Sequence, residues 1–442
     1  MLRRVDPRPG APMRLLYSAL YYCLLPLLVL RMCWRSLRDP AYRQRLPERF
    51  GLFAARRAGH LPAIWVHAVS VGETLAAVPL VQALLRDYPG YPVVVTTTTP
   101  TGSERVRALF GDRVFHVYAP WDLPGPVRRF LRRTRPGLLL IMETELWPNM
   151  LYYSRAGDCG VMLLNARMSA RSARGYARVG RLTRQLLSQL DVVACQTSSD
   201  GERFLTLGLP AASLAVTGNS KFDLAPAEEL RAQGVRLRQV LTAGGRPVLV
   251  AASTHAGEEE LILAACREVR QALGDCLLVL VPRHPQRFED VYGLCRKQGW
   301  NVQRRSAGAD LAPGSDILLG DTMGELPLLL AAATVAIFGG SLVARGGHNV
   351  LEAAVWGVPI ITGPHMENFV GISELLRNAG AMVQLESPAG LAAGVLELLA
   401  DPERCERMGA AGLQVVAENR GASARQLALV ARRLESGRAQ TR

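Results

Sequence analysis

Several acidic and basic residues stand directly after short apolar runs, where a strand would end and a ligand would be met. In His67-Ala68-Val69-Ser70-Val71-Gly72-Glu73-Thr74 an apolar run stops, glycine turns the chain and a helix begins at Glu73. A carboxylate in the first turn of a helix is favoured as the anion by the helix dipole, which suits a general base that must be unprotonated at neutral pH. A glutamate that only compensates the dipole would look the same, and spacing leaves both readings open. Glu143-Thr144-Glu145-Leu146-Trp147-Pro148-Asn149 follows the run GLLLIM and sets two acids where solubility needs one. Paired acids can chelate a divalent cation, but no DxD-type or histidine cluster accompanies them, and no metal is expected. Lys221, after Val216-Thr217-Gly218-Asn219-Ser220, reads either as a cation facing a site or as a surface lysine.

Further on, Val281-Pro282-Arg283-His284-Pro285-Gln286-Arg287-Phe288 follows another apolar run. Arg283 offers a fork of fixed donors suited to a phosphate, while His284 and Arg287 read as solvated or structural. Gly320-Asp321-Thr322-Met323-Gly324-Glu325-Leu326-Pro327 could line a base pocket with its backbone, or be a simple turn and helix cap. The densest signal is the glycine-rich stretch from Gly339 to Pro359, with Gly346-Gly347-His348-Asn349-Val350-Leu351-Glu352 at its centre. Glycines let a backbone approach a ligand closely, and a helix starting near His348 would aim free N–H groups at a phosphate. Glu352, one turn in, is placed to accept hydrogen bonds from ribose hydroxyls. An ordinary glycine-rich strand-to-helix turn is the alternative.

Those residues need a scaffold that brings strand ends together. From Ile64 onward the runs IWVHAVS, PVVVTTTT, VFHVYAP, GLLLIMETE, GVMLLNA and DVVACQT alternate with helical periodicity, the pattern of a parallel sheet covered by helices. A polar helical stretch from 225 to 242 and a glycine-rich loop interrupt it. The alternation restarts with PVLVAAST, CLLVLVPRHP, DILLGDT, TVAIFGGS and PIITGP. The expectation is an α/β chain of two Rossmann-like, doubly wound domains facing a cleft: 36–224, a linker over 225–246, and 247–442, with the last helices free to pack back on the first domain.

With 442 residues, the chain is too long for one ordinary core, and its 49% apolar and 20% charged content is that of a folded protein. The formal charge of +14 favours an anionic partner: phosphate, nucleic acid or acidic lipid. No RNA-binding module or aromatic-interleaved basic patch is present, which argues against nucleic acid. No GxGxxG follows the first strand, which argues against a dinucleotide dehydrogenase. Eight scattered cysteines form no CxxC or zinc spacing and fit a reducing compartment. Between Arg14 and Arg31 lie sixteen uncharged, mostly apolar residues, LLYSALYYCLLPLLVL, slightly fewer than the ~20 that cross a bilayer. Arg31, Arg35, Arg38, Arg43, Arg45 and Arg49 follow, and each charge near an anionic surface contributes about 1 kcal/mol. No small-residue cleavage site follows the run, so residues 1–35 read as a retained membrane-anchor helix with its basic flank; a buried core helix is the alternative.

The glycine-rich stretch resembles the nucleotide-sugar signature of glycosyltransferases with two Rossmann-like domains. Taken in order, Gly72-Glu73, ETELWPN, Asn165-Ala166-Arg167-Met168-Ser169, Ala252-Ser253-Thr254-His255-Ala256-Gly257-Glu258-Glu259, VPRHPQRF and GGHNVLEAA make the chain similar to the 3-deoxy-D-manno-octulosonic acid (Kdo) transferases over nearly its whole length. Asp39-Pro40-Ala41-Tyr42-Arg43 and Glu48-Arg49-Phe50-Gly51, after the apolar helix, are similar too. The resemblance implies a GT-B type, inverting, membrane-associated enzyme that moves Kdo from CMP-Kdo to a phosphorylated lipid A precursor. It implies catalysis on the cytoplasmic side of the inner membrane, without a metal, since the leaving monophosphate can be neutralised by Arg283, Lys221 and the helix start near Gly347. It further implies Glu73 as proton acceptor, with Glu143 and Lys221 supporting the transition state. Pro282, Arg283, Met323, Gly324, Glu325, Asn349, Val350, Leu351 and Glu352 are implied to bind CMP. Ala344 and Ala353 stand where the family usually has proline, which bears on loop order more than on ligand groups. The nearest rival is a UDP-sugar transferase or epimerase of the same architecture, which would keep the glycine site without calling for ETELWPN or a lipid-facing basic strip.

Overall fold

Runs buried on both faces can only be satisfied by helices above and below, and the chain builds two such sheets. The structure is a computed structural model and describes residues 11–38, 40–55, 61–223, 226, 228–308 and 311–439. Residues 1–10 of the expected anchor, Asp39, and Leu224 and Ala225 at the expected boundary lie outside the described residues. The first sheet contains β1 (Ala63–His67), β2 (Val93–Thr97), β3 (Phe115–Tyr118), β4 (Pro136–Met142), β5 (Gly160–Ala166), β6 (Val192–Cys195) and β7 (Leu214–Val216). Its order is β3-β2-β1-β4-β5-β6-β7, with every pair parallel. Alternation along β1 separates two cores: Trp65 packs with Phe130 and Leu139 on one face, Ile64 and Val66 with Leu80 and Leu140 on the other.

The second sheet contains β8 (Val248–Thr254), β9 (Leu277–Pro282), β10 (Val302–Arg304), β11 (Ile317–Leu319), β12 (Val335–Phe338), β13 (Ile360–Thr362) and β14 (Met382–Gln384). Its order is β10-β11-β9-β8-β12-β13-β14, again all parallel. The direction of strand addition reverses between β1 and β4 in one sheet and between β8 and β12 in the other. Loops diverge at such a reversal and leave a crevice at the strand carboxyl ends.

The chain divides into two compact units, 1–223 with 420–442, and 224–419. The stretch 225–246, expected as linker, corrects to part of the second unit over its helix Glu228–Leu241, which packs on the helix Leu326–Ala331. Gly234 makes that packing possible: a Cβ there would stand 2.6 Å from the Ala331 Cβ. The final helix, Ala422–Ala439, belongs to the first unit, where it lies against Val71–Asp87 and puts Val430 in the core. Asp223 holds its start, accepting the backbone N–H groups of Gly421 at 2.6 Å and Ser423 at 2.5 Å. The amino-terminal helix is longer than the sixteen-residue apolar run, spanning Ala11–Arg38.

Overpacking a helix contact costs about 1–3 kcal/mol. Gly234→Val is therefore expected to lower the unfolding free energy of the second unit by that amount, read as a lower urea midpoint; an unchanged midpoint would return 225–246 to the status of a linker.

Candidate active site

Ser70 caps the helix Val71–Asp87, and its Oγ accepts the Glu73 N–H at 3.3 Å. Glu73 answers by folding back over the helix start: Oε1 accepts the Ser70 hydroxyl at 2.9 Å and Oε2 the Val69 N–H at 2.8 Å. This is a Ser-x-x-Glu box closing the end of β1. It leaves the Glu73 carboxylate 7% exposed. Burial raises its pKa to about 7, the charges of Glu143 and Glu145 add to the rise, and the hydrogen bonds from Val69 and Ser70 oppose it. The expectation that the helix dipole keeps Glu73 fully ionised at neutral pH is thereby corrected: desolvation outweighs the dipole.

Glu143 is the first residue after β4 and sits at φ +58°, a left-handed conformation that costs a side-chain-bearing residue roughly 1–2 kcal/mol. The conformation is held by its N–H to the Leu164 carbonyl at 2.9 Å and by two ion pairs, to Lys221 Nζ at 2.8 Å and Arg167 Nε at 2.9 Å. Lys221 is no surface lysine, since its side chain is 14% exposed. Asn165 at the end of β5, itself at φ +52°, accepts the Ser220 N–H at 3.0 Å and so positions the turn that carries Lys221. Glu145 takes a different partner, the Trp147 indole N–H at 2.8 Å. His67, at the end of β1, is fully buried against Trp147, and burial alone lowers its pKa to about 3. Among the described residues no group of three or more His, Cys, Asp or Glu is arranged to hold a metal ion.

In the second unit the two arginines after β9 separate. Arg287 is held bidentately by Glu259, at 2.6 and 3.0 Å, and Glu259 is fully buried, also accepting the Thr254 hydroxyl at 2.8 Å. The Arg283 guanidinium is half-buried and has no ion pair or hydrogen bond among the described residues. Around it stand three histidines: His255 and His348 meet Nε2 to Nε2 at 2.9 Å, and the His255 and His284 rings lie 5.5 Å apart. Burial, with the charge of Arg283 beside it, lowers the pKa of all three, that of His348 to about 3. The shifts favour the neutral imidazoles, and Arg283 acts on all three of them, with Arg345 a further positive charge near His255.

The glycine-rich loop hangs on one fully buried carboxylate, Glu258. It accepts the N–H groups of His255 at 2.9 Å, Gly340 at 2.7 Å, Leu342 at 2.9 Å and Val343 at 3.3 Å. Gly346 and Gly347 both have positive φ, at +89° and +75°, and a Cβ at Gly347 would run into the Met366 thioether. The helix expected from His348 is corrected to four residues, Leu351–Ala354: left-handed glycines cannot open a helical turn, and Gly357 at φ +68° lies three residues beyond its end. So short a helix has little dipole, and the loop backbone must supply the N–H groups instead. Val350 and Leu351 are buried, Glu352 is half-buried, and the buried Asn349 Oδ1 has no hydrogen-bond partner. After β11, Gly324 turns at φ +87°, Met323 is 69% exposed, and Glu325 is fixed by Arg305 at 2.9 Å and by the Thr322 hydroxyl. The Arg305 hydrogen bond holds the Glu325 carboxyl below the usual range.

The structure thus gathers Glu73, Glu143 and Lys221 at the carboxyl edge of the first sheet. Pro282 ends β9, and Arg283, Met323–Glu325 and 349–352 follow β9, β11 and β12 at the carboxyl edge of the second. Sequence reasoning gave no role to Arg167, Asn165, Glu258 or Glu259. The available signal was position, since each follows or closes a buried strand.

Two doubly wound parallel sheets with loops gathered on their carboxyl edges are the two-domain architecture of the GT-B type, and the matches in sequence make it that of a glycosyltransferase. Residues 44–224 match the family described as 3-deoxy-D-manno-octulosonic-acid transferase (kdotransferase), and residues 260–415 match glycosyl transferases group 1. The chain is 42% identical to the 3-deoxy-D-manno-octulosonic acid transferase of Haemophilus influenzae, covering 96% of this chain and 99% of that one. It is 41% identical to that of Bordetella pertussis, covering 91% and 95%. A solved structure, the putative UDP-N-acetylglucosamine 2-epimerase of Listeria monocytogenes, superposes with a TM-score of 0.55 over 86% of this chain and 97% of that one. Its 16% identity makes that a likeness of fold alone. The chain belongs to the 3-deoxy-D-manno-octulosonic acid transferase family.

Glu258→Ala strands four loop N–H groups and is expected to cost on the order of 3 kcal/mol of stability while weakening nucleotide binding at least about tenfold. Urea unfolding with CMP titration checks it, and retained CMP affinity would show that the loop is held by other means.

Proposed function

We propose that this glycosyltransferase moves Kdo from CMP-Kdo to a hydroxyl of a phosphorylated lipid A precursor, with inversion at the anomeric carbon and Glu73 as the base. The observation that carries the proposal is the Glu73 carboxylate, buried, locked by Ser70 and Val69, and poised near pH 7. A base whose pKa lies near the working pH is best matched to taking a proton in the transition state. The acceptor hydroxyl gives its proton to Glu73 and its oxygen bonds to the anomeric carbon. The bond from that carbon to the phosphate oxygen breaks, and the electron pair leaves with CMP.

The departing phosphate gains one negative charge. Arg283, which has no anion of its own, is assigned to neutralise it, with Lys221 as a second cation kept in place by Glu143. Arginine and lysine suffice for a leaving monophosphate, and no metal is assigned a part. Pro282 and Arg283, Met323 to Glu325 and Asn349 to Glu352 are assigned to CMP. The unpartnered Asn349 Oδ1 is an acceptor waiting for a donor, and the turn around Gly324 offers exposed backbone. The apolar helix and its arginines support a place at the inner membrane, with catalysis on the cytoplasmic face.

Because Glu73 must be deprotonated to act, kcat/KM is expected to rise with pH through about 7 and then level, with unit slope on the acid side. Glu73→Gln should retain CMP-Kdo affinity and lose at least about 100-fold in transfer. Near-normal turnover of labelled sugar by that variant refutes the base assignment. Lys221→Ala should lower kcat about tenfold or more and weaken CMP binding by a smaller factor, since the charge it meets is greatest as CMP departs. If UDP, and not CMP, protects the second unit from proteolysis, the UDP-sugar reading replaces this one.

A further inference from the structure

The helix Ala11–Arg38 has two unlike faces. One is fastened to the first unit by polar contacts within its first turns. Arg14 donates to Asn149 Oδ1 at 3.0 Å and lies 3.9 Å over the Tyr152 ring; the Asn149 amide donates to Ser18 Oγ at 3.0 Å; the Tyr17 hydroxyl bonds to Asp122. Arg14, Ser18, Asp122 and Asn149 are all buried, and Asp122 also takes the N–H groups of Asn149 and Met150 at 3.0 and 2.7 Å. The opposite face exposes Leu16, Leu20, Leu24, Leu27, Leu30 and Trp34, each more than half accessible and spaced by three or four residues. At 1.5 Å per residue the helix is about 42 Å long, ample to cross a hydrocarbon core of about 30 Å.

Length therefore permits a span, but attachment forbids it. If the amino end crossed, the buried contacts of Arg14, Tyr17 and Ser18 with Asp122 and Asn149 would have to break, leaving polar groups unpaired. If the carboxyl end crossed, the chain would have to return at once. Arg45 is already fixed in the first unit, to Ser103 Oγ at 2.9 Å and the His116 carbonyl at 3.0 Å. The eight steps from Leu37 to Arg45 reach at most about 28 Å when fully extended. Pro40–Arg43 is a helical turn, rising only about 2 Å per residue, so the true reach falls well short of the core.

Charge identifies what covers the exposed stripe. The described helix carries no acidic residue, while Arg31 and Arg35 are exposed on it and Arg43 just after it. Arg128 and Arg132, exposed on the adjoining helix Pro124–Thr134, extend the basic rim, with Arg128 5.6 Å from the Tyr153 ring. An apolar stripe rimmed by arginines fits the boundary between acyl chains and anionic headgroups. We propose that Ala11–Arg38 is an in-plane membrane element, lying along a bilayer of anionic phospholipid with both its ends on the side of the first unit. This deepens the membrane placement given under the proposed function and rests on it, but not on the sugar chemistry.

The test uses the full chain in membranes, with Cys23, Cys33 and the partly accessible Cys405 replaced by serine, the other native cysteines being buried, and one accessible cysteine placed by Pro12→Cys, Gln44→Cys or, as the marker of the first unit, Ser188→Cys. A membrane-impermeant maleimide should label all three from the same side. Labelling at position 12 only from the side opposite position 188 overturns the proposal. In a second arm, Leu27→Glu should weaken sedimentation with phosphatidylglycerol vesicles at least about tenfold while CMP binding stays unchanged. Undiminished sedimentation of that variant, or equal binding to pure phosphatidylcholine, overturns it as well. Kdo transfer measured in detergent reads the enzymatic proposal separately, so either can fail alone.

Discussion

A parallel strand cannot be laid beside its predecessor until the chain has crossed back over the sheet, so every strand releases its following loop on the same edge. Everything chemical in this protein depends on that constraint. Residues as far apart in sequence as Glu73, Glu143 and Lys221 share one edge of the first sheet, and those after β8, β9, β11 and β12 share one edge of the second. The edges are crowded with charge, and burial makes unpaired charge costly. Most of it is accordingly matched: Glu143 by Lys221 and Arg167, Glu259 by Arg287, Glu258 by four backbone N–H groups. Three groups stand apart among those named: Glu73 and Glu145 have hydrogen bonds but no ion pair, and Arg283 has no anion, among the described residues. The matched charges hold loops in shape, and the proposed chemistry draws on two of the unmatched ones, Glu73 and Arg283.

What could be read from the chain was whatever depends on neighbours in sequence. The strands were legible because runs such as GLLLIM and GVMLL are apolar at every position, which only a sheet buried on both faces requires. Glu73 was legible as a first-turn carboxylate because Ser70, Gly72 and the preceding strand lie within six residues. Its protonation was not, because desolvation and the charges of Glu143 and Glu145 come from elsewhere in the fold. The helix after the glycine-rich loop starts at Leu351 and not near His348 for a related reason. Glu258, which shapes that loop, lies 82 residues before Gly340. Asp223, which holds the start of the last helix, bonds to Gly421 and Ser423 across 198 and 200 residues. The polar composition of 225–246 suggested a linker because Gly234, one residue in the middle of it, was not visible as a packing contact.

The arginines after β9 show the limit most plainly. Arg283 and Arg287 are four residues apart in the segment after one strand, and the buried Glu259 beneath the second of them tells them apart. Fold likeness has a limit of its own: an epimerase at 16% identity has the same two-sheet architecture, so architecture alone does not name the reaction. Membership of the transferase family comes from identity over nearly the whole chain. The mechanistic content comes from the charges that the two edges leave unmatched.

Mass spectrometry of the lipid acceptor tests the central claim most directly. Purified protein incubated with CMP-Kdo and a phosphorylated lipid A precursor should shift the acceptor by whole Kdo residues, with one CMP released for each. An acceptor left unchanged with CMP-Kdo, but extended by the same protein when a UDP-sugar is supplied, would contradict it.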